Sequence, residues 1–323
     1  MIAGLVVLAV AAAAFLLNRP RTQTVAPVET SAPAPQKTPA STPTPDPPPV
    51  ALNILLIGSD SRVNARAGAA SGRASDQRGD ALVFIHLPAD RRSVYGISIM
   101  RDLWVDIPSY GAARVNAGLE LGGVPLMTRT VETLLGQRIN HTVMLDFQGF
   151  AAMTDALGGV DVNIKQPFTG TVDDFVRFPA GVNRLDGQKA LAFVRERHAV
   201  ADGDYQRVRN QQAFLKAVMA KMAAEGGLKN RDTVKKLVAS VLPHITVDPG
   251  LTVQTLQRLA FSLRSTAPGE GVFFTLPTAG AGTSPNGQSV ILQDRAATAA
   301  VSAALASGTL GKYVAANKLQ NGN

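Results

Sequence analysis

The chain has 323 residues, 46% of them hydrophobic and none of them cysteine, with 32 Lys and Arg against 24 Asp and Glu for a net charge of +8. The lack of cysteine excludes a disulfide framework, a thiolate nucleophile and Cys-ligated zinc or iron–sulfur centres, and the length allows two domains or one large α/β domain with extensions. The basic excess is carried by 22 Arg against 10 Lys; arginine presents a rigid donor fork that matches phosphate or carboxylate bidentately, where lysine is a point charge.

Residues Met1 to Leu17 carry no charge, and the run stops at Asn18-Arg19-Pro20-Arg21. Seventeen residues reach the lower limit for a membrane-crossing helix, so the segment reads as an uncleaved anchor or as the apolar part of a signal peptide. Arg19 and Arg21 follow the run instead of preceding it, which runs against the positive-inside bias for an external domain and predicts a native start upstream. Residues 18–50 hold ten of the twenty prolines. That composition favours polyproline II, a semi-rigid spacer with a reach of about 100 Å at this length.

The body, residues 51–306, alternates strand and helix signals. Short apolar runs over 53–57, 81–87 and 94–99 predict buried strands, the last two paired as a hairpin. A helical stripe over 124–135 ends at Gly136; a strand at 142–145, a helix at 147–157 and a strand at 160–164 read as a β-α-β unit. Further helices are predicted at about 187–194, 204–223, 232–242, 252–264 and 294–305, with a late strand at 271–276. The expected fold class is α/β, a three-layer α/β/α sandwich around a mixed central sheet. Residues 307–323 read as a disordered tail.

Candidate chemistry gathers where strands end. The loop Gly58-Ser59-Asp60-Ser61-Arg62 follows the first strand, a position where ligands collect in α/β sheets, although Asp60 could equally cap a turn. Arg78-Gly79-Asp80 opens an otherwise apolar strand, and the Ala-, Gly- and Ser-rich stretch 65–75 before it reads as a flap. Asp60 and Asp80 together would make a hard oxygen site suited to Mg²⁺; the competing reading is a plain Asp80–Arg78 ion pair. Arg101-Asp102 closes the second hairpin strand, which brings Arg101 close to Asp80 if the hairpin forms.

The densest cluster is Arg195-Glu196-Arg197 followed by Asp204 to Gln212. Arg207 and Gln211 share a helix face, and Arg195 and Arg197 point the same way on extended backbone. Cations aimed at one place repel unless an anion joins them, and a diphosphate meets that need; an exposed basic face is the alternative. The four histidines show no zinc-site spacing, and there is no P-loop, dinucleotide fingerprint or nucleophile elbow. Aromatic residues are 5% of the chain and the basic residues are set in apolar segments, so no nucleic-acid partner is expected.

Several ordered blocks now carry a resemblance: Leu56-Ile57-Gly58-Ser59-Asp60-Ser61-Arg62, Arg78-Gly79-Asp80, Met100-Arg101-Asp102, Val115-Asn116-Ala117 with Gly122-Gly123, Asp146-Phe147 with Gly149-Phe150, Gly158-Gly159-Val160, and Arg195 through Gln212. In this order, behind an apolar segment and a proline-rich stalk, the sequence resembles the LytR-CpsA-Psr family of bacterial cell-envelope proteins. The resemblance implies a membrane-anchored, Mg²⁺-assisted phosphotransferase that moves a glycopolymer from a polyprenyl-pyrophosphate carrier to a peptidoglycan hydroxyl. Carried over by position, Asp60 and Asp80 match metal-associated aspartates, and Arg78, Arg101, Arg195, Arg197, Arg207 and Gln211 match pyrophosphate-binding positions.

Asp80, Arg101 and Asp102 are the candidate catalytic groups, with Asp80 or Asp102 as the base that activates the hydroxyl. The chain departs from the family pattern at Asn210, where many members carry arginine, and Arg209 lies about 100° around the helix from that position. The helices at 124–135 and 147–157 could line a groove for the lipid, with Phe147, Phe150 and Met153 otherwise serving as core. The resemblance also implies a single-pass anchor at 1–17, an extracytoplasmic linker at 18–50, the catalytic domain at 51–306 and the tail at 307–323. A lipid-phosphate binder without catalysis, or a carrier pyrophosphatase, would use the same residues.

Overall fold

The computed structural model describes residues 50–59, 79–171, 175–199, 202–224, 245–251, 255 and 271–321. The expected anchor, the linker apart from Val50, Asp60, Arg62, Arg78, the 65–75 flap and the helix at 232–242 lie outside the described residues, as does all but Thr255 of the helix at 252–264. Among the described residues no helix is long and apolar enough to cross a membrane.

The main sheet is mixed and six-stranded, in the order β11-β6-β1-β2-β3-β12. β1 (Leu52–Ser59) pairs antiparallel with β2 (Gly79–Leu87), which pairs antiparallel with β3 (Val94–Ile99), so the expected hairpin lies at the sheet's centre. β6 (His141–Asp146) runs parallel to β1, β12 (Gly271–Thr275) parallel to β3, and β11 (Ile245–Val247) antiparallel to β6. The near-continuous apolar runs of the three central strands have a physical reason, since residues of both parities are buried. Leu55, Ile57, Leu82, Phe84 and Ile97 enter one core, while Ile54, Val83, Ile85, Leu87 and Val94 enter another on the opposite face.

Helix α1 (Ala117–Leu135) starts earlier than the 124–135 stripe indicates and breaks at Gly122 and Gly123. Gly123 has φ 62 and ψ −161, a conformation essentially restricted to glycine, and Pro125 restarts the helix where its missing N–H costs nothing. Gly136, at φ 60, closes it in the left-handed region as expected. Helix α2 (Phe147–Ala156) begins on Asp146, whose carboxylate accepts from the Gly149 N–H at 2.7 Å.

The β-α-β reading of this stretch is corrected. β7 (Val160–Ile164) does not join β6 in the main sheet but pairs antiparallel with β10 (Gly181–Leu185) in a separate two-stranded sheet. Its strict alternation of buried and exposed residues marks a one-faced ribbon, not a strand covered on both sides. The ribbon packs on helices α3 (Gly187–Arg195) and α4 (Asp204–Ala224), burying Val160, Val162, Phe193, Phe214 and Val218 together. A short hairpin of β8 (Phe168–Thr169) and β9 (Arg177–Phe178) stacks Phe168 on Phe178 beside this cluster.

A four-stranded sheet in the order β13-β14-β4-β5 was not foreseen. It comprises β4 (Leu103–Ile107), β5 (Gly111–Arg114), β13 (Thr278–Thr283) and β14 (Ser289–Gln293), and strands such as Thr-Ala-Gly-Ala-Gly-Thr lack the apolar or β-branched signal that marks a strand. Helix α5 (Arg295–Ala306) follows. The disordered-tail reading of 307–323 is also corrected, because α6 (Leu310–Ala316) and a 3₁₀ turn at Leu319–Asn321 return the chain to the main core. Leu310, Val314 and Leu319 are each at most 7% exposed there, the first two held by the i, i+4 spacing of one helix face.

One buried histidine makes this core sensitive to pH. His86 is 3% exposed, and its Nδ1–H donates at 2.7 Å to Asn53 Oδ1, an acceptor because the Asn53 amide nitrogen donates to the Arg138 carbonyl. Burial first, and nearby Arg91 second, push its pKa from 6.5 down to about 4. The unfolded chain therefore binds this proton at a higher pH than the folded chain, so stability is full above 6.5 and falls as pH drops toward 4. The expected loss is about 3 kcal/mol across that window, read as unfolding free energy from denaturant titrations, and His86→Gln should flatten that part of the profile. An unaltered slope in the variant would assign the acid sensitivity elsewhere.

Candidate functional site

The C-terminal ends of β1, β3 and β6 and the start of β2 lie along one edge of the main sheet, as the registers Ser59↔Gly79, Ser59↔Asp146 and Leu82↔Ile99 require. Ligands in open α/β sheets gather outside the carboxyl ends of strands. A cavity of about 320 Å³ opens at this edge. Its polar wall includes Asp80, Arg101, Arg195, Arg197, Arg207 and Gln211, and its apolar wall includes Leu56, Val83, Phe150, Met153, Leu215 and Val218.

Asp80 and Arg101 meet as the hairpin predicts, with Nη1 to Oδ1 at 2.7 Å. Arg101 Nε also lies 3.4 Å from Asp102 and 3.8 Å from Asp204. Burial lowers the Arg101 pKa, but the Asp80 hydrogen bond and the charges of Asp102, Asp204 and Asp80 outweigh it and hold the guanidinium more firmly protonated than usual. Asp102 turns away from the cavity wall, between Arg101 and Arg114, the latter at 3.6 Å.

Arg195 ends α3, where a cation suits the helix dipole, and its guanidinium carbon stands 4.5 Å from the Phe147 ring centre. Glu196 continues in extended backbone at φ −65 and ψ 130, and both Arg195 and Arg197 reach the cavity, although Arg195 is the last residue of α3 and not on the extended backbone for which the two-residue spacing argued. Gly187, at the other end of α3, lets this helix approach α2; a Cβ there would stand 2.4 Å from the Ala151 carbonyl oxygen.

Arg207 is 5% exposed and pairs with Asp204 one turn earlier at 2.6 Å. Burial dominates both groups, pushing Asp204 up and Arg207 down despite their mutual attraction. Gln211 lines the cavity one turn on and sends a long 3.4 Å bond to the Val194 carbonyl. Arg209 is directed elsewhere, to Asp202 at 2.5 Å and to Gln206, so it does not take the place of an arginine at position 210.

Three features escaped the sequence reading. Asp204 is the buried partner of Arg207, legible in retrospect as an i, i+3 pair opening a helix. Glu196, lodged between two arginines, was given no role and is fully buried. The third is the share of the apolar wall that comes from α3, α4 and the strands; α2, one of the two helices expected to line a groove, does so with Phe147, Phe150 and Met153, whereas α1, the other, does not reach the cavity. As for a divalent cation, Asp80 offers a hard oxygen donor on the cavity wall, and among the described residues no group of three or more His, Asp or Glu could form a cage. Mg²⁺ typically takes only one or two carboxylates together with substrate phosphates, a pattern Asp80 fits.

The family model described as the LytR_cpsA_psr family matches residues 23–307, and the chain belongs to that family. It is 34% identical over 218 residues to the probable cell wall biosynthesis protein LcpB of Corynebacterium glutamicum, covering 66% of this chain and 52% of that protein. It is 32% identical over 205 residues to the polyisoprenyl-teichoic acid–peptidoglycan teichoic acid transferase TagU of Bacillus mycoides, covering 63% of each. The chain thus spans about half the length of LcpB and under two thirds of TagU. Among solved structures, Bacillus subtilis TagV superposes with a TM-score of 0.66 at 23% identity over 80% of this chain and 97% of that one. TagT bound to LI-WTA superposes with a TM-score of 0.61 at 24% identity over 81% and 91%. These likenesses establish a mixed α/β fold of the kind seen in that family.

Asp204→Asn tests the buried pair. Removing one charge leaves Arg207 buried without its counter-ion, and the expected cost is about 3 kcal/mol of unfolding free energy, measured by denaturant titration. A variant as stable as the parent would mean that Arg207 is satisfied by other groups.

Proposed function

We propose that this LytR-CpsA-Psr protein is a cell-envelope phosphotransferase, moving a glycopolymer from a polyprenyl-pyrophosphate carrier to a peptidoglycan hydroxyl. The observation that carries this reading is the convergence of Arg101, Arg195, Arg197 and Arg207, from three separate segments, on a cavity most of whose remaining lining is apolar. A free anion would need only the arginines, and a neutral lipid only the apolar wall. A diphosphate joined to a hydrocarbon chain needs both.

In the proposed reaction the arginines bind and orient the diphosphate and stabilise charge as it develops on the phosphoryl oxygens. The acceptor hydroxyl oxygen bonds to the phosphorus that carries the glycopolymer. The bond from that phosphorus to the bridging oxygen breaks, the lipid monophosphate leaves with the electron pair, and the hydroxyl proton passes to a base. Asp80 suits that base better than Asp102, because Asp80 faces the cavity and the other cavity carboxylate, Asp146, caps α2. Asp80 with Asp60 would hold Mg²⁺, which supplies further charge neutralisation at the diphosphate when bound. Arg78 would join the pyrophosphate-binding set, with Gln211 donating from its amide.

The reading extends to placement. Residues 1–17 would anchor the chain as a single membrane pass and 18–50 would hold the domain outside the cytoplasm, near both its lipid carrier and the wall. The architecture is read as a three-layer α/β/α sandwich, supported by the burial of both faces of the main sheet.

The full chain in detergent, given labelled polyprenyl-pyrophosphate glycan and peptidoglycan, should form wall-linked product. Phosphate released without acceptor would make it a hydrolase, and retained but unreacted lipid a binder. Arg195→Ala should lower the transfer rate by about 10²–10³-fold, the usual cost of one oxyanion donor; unchanged turnover would remove Arg195 from the diphosphate site. Asp80→Ala should lose turnover and, in titration calorimetry with geranylgeranyl diphosphate present, should also lose Mg²⁺ binding; a variant that still binds the metal would place its ligands elsewhere.

A further inference from the structure

Arg195 and Arg197 are useful only if the chain between and after them holds one shape, and α3 stops at Arg195. Past a helix end the backbone has no regular hydrogen bonds to fix it, and the long side chain of Arg197 on an unfixed loop would lose freedom on meeting an anion. What fixes this loop is a buried carboxylate. Glu196 is 0% exposed, and its Oε1 accepts from three successive backbone N–H groups, those of Arg197 at 2.9 Å, His198 at 2.6 Å and Ala199 at 2.9 Å. Its Oε2 accepts from the Thr171 N–H, and the Thr171 hydroxyl donates to Oε1 at 3.1 Å. A Cβ on Gly170 would stand 3.3 Å from Oε2, so the residue beside Thr171 must be small for the β8–β9 hairpin to come this close.

The carboxylate therefore wraps the 197–199 backbone around itself and ties it to the hairpin. Burial alone would raise its pKa, but the Thr171, Ala199 and His198 N–H groups and the Thr171 hydroxyl more than reverse this and hold Glu196 ionised below the ordinary carboxylate range.

Resting on the diphosphate reading above, we propose that Glu196 is the positioning residue of the arginine clamp: it touches no substrate, but sets the loop that aims Arg197 into the cavity beside Arg195 at the end of α3, with Thr171 of the β8–β9 hairpin as its second support. The clamp is thus built by two segments that are distant in sequence, and the hairpin takes part in diphosphate recognition without reaching the ligand.

The test is a double-mutant cycle on the full chain in detergent, with geranylgeranyl diphosphate as the probe and its dissociation constant as the readout. Glu196→Ala and Arg197→Ala should each weaken binding about tenfold, and the double variant should bind within about twofold of Arg197→Ala alone, because Glu196 acts through the arginine. Losses that multiply to about a hundredfold would overturn the proposal, since a general destabilisation acts independently of Arg197. So would wild-type binding by Glu196→Ala in a background where Arg197→Ala is impaired. Glu196→Asp keeps the charge but shortens the reach by one methylene, giving a milder change should the alanine variant not fold. It should weaken binding in the same direction, and an aspartate variant as tight as the parent would overturn the geometric role. If Arg197→Ala and Arg195→Ala both bind the probe normally, the diphosphate reading itself falls and this inference falls with it.

Discussion

The site depends on one electrostatic constraint: guanidinium groups stand at the boundary of an apolar cavity, where unpaired charge is expensive. Arg207 shows the constraint most directly, almost wholly buried and held at 2.6 Å from Asp204. Arg101 is shared among Asp80, Asp102 and Asp204. These carboxylates are what allow arginines to exist in such surroundings, and they link β2, β3 and α4 into one charged seam. Four arginines line the cavity, and two of the carboxylates that hold Arg101 and Arg207, Asp102 and Asp204, stand outside its lining, so guanidinium groups outnumber carboxylates on the surface a ligand would meet. Paired cations form the framework, and that asymmetry suits an anionic ligand.

The same seam explains why two hydrophobic cores meet here. The core on the sheet face that carries Val83 combines Ile54, Ile85 and Val143 with Met219 of α4 and has Leu56 packed against it, while the cluster around Phe193 and Phe214 belongs to α3, α4 and the β7–β10 ribbon. Leu56 and Val83 of the sheet and Phe214, Leu215 and Val218 of α4 all reach the cavity, so it lies where the two bodies join. Gln212, 3% exposed, bridges them, donating to Ser98 at 3.1 Å and Thr275 at 3.2 Å. An apolar void between two rigid surfaces, with a charged seam along one side, is the shape an amphiphilic lipid phosphate requires.

Much of this was legible in the sequence, for reasons that differ by element. β1, β2 and β3 announced themselves because both faces are covered and most positions are apolar. The Asp80–Arg101 contact followed from hairpin pairing alone; Arg195, Arg197 and Arg207 do meet at the cavity, but Arg195 does so from the end of α3 and not from an extended segment shared with Arg197. The ribbon β7–β10 was misassigned because sequence order cannot say which sheet a strand joins. The 307–323 segment was misread because its three core contacts, Leu310, Val314 and Leu319, are sparse among polar neighbours. Glu196 was illegible in a deeper sense: its five donors come from Thr171 and residues 197–199, and nothing local tells a buried carboxylate from an exposed one.

Position 210 shows how a departure from a family pattern can be read physically. Asn210 is 3% exposed; its side-chain nitrogen donates to the Phe193 carbonyl at 3.0 Å and its oxygen accepts from Gln206 at 2.8 Å. Gln211 reaches the next carbonyl, Val194, at 3.4 Å. Two amides of α4 thus receive the last carbonyls of α3, groups that a helix end leaves without partners of its own. An arginine at 210 would bring a further cation into this buried junction, beside Arg207, where desolvation already dominates. In this chain the position is given to joining α3 to α4, and the charge that faces the cavity is carried by Arg101, Arg195, Arg197 and Arg207. Three successive side chains accordingly take three tasks, Asn210 on the helix end, Gln211 on the cavity and Gln212 on the sheet, as the 100° step of an α-helix permits.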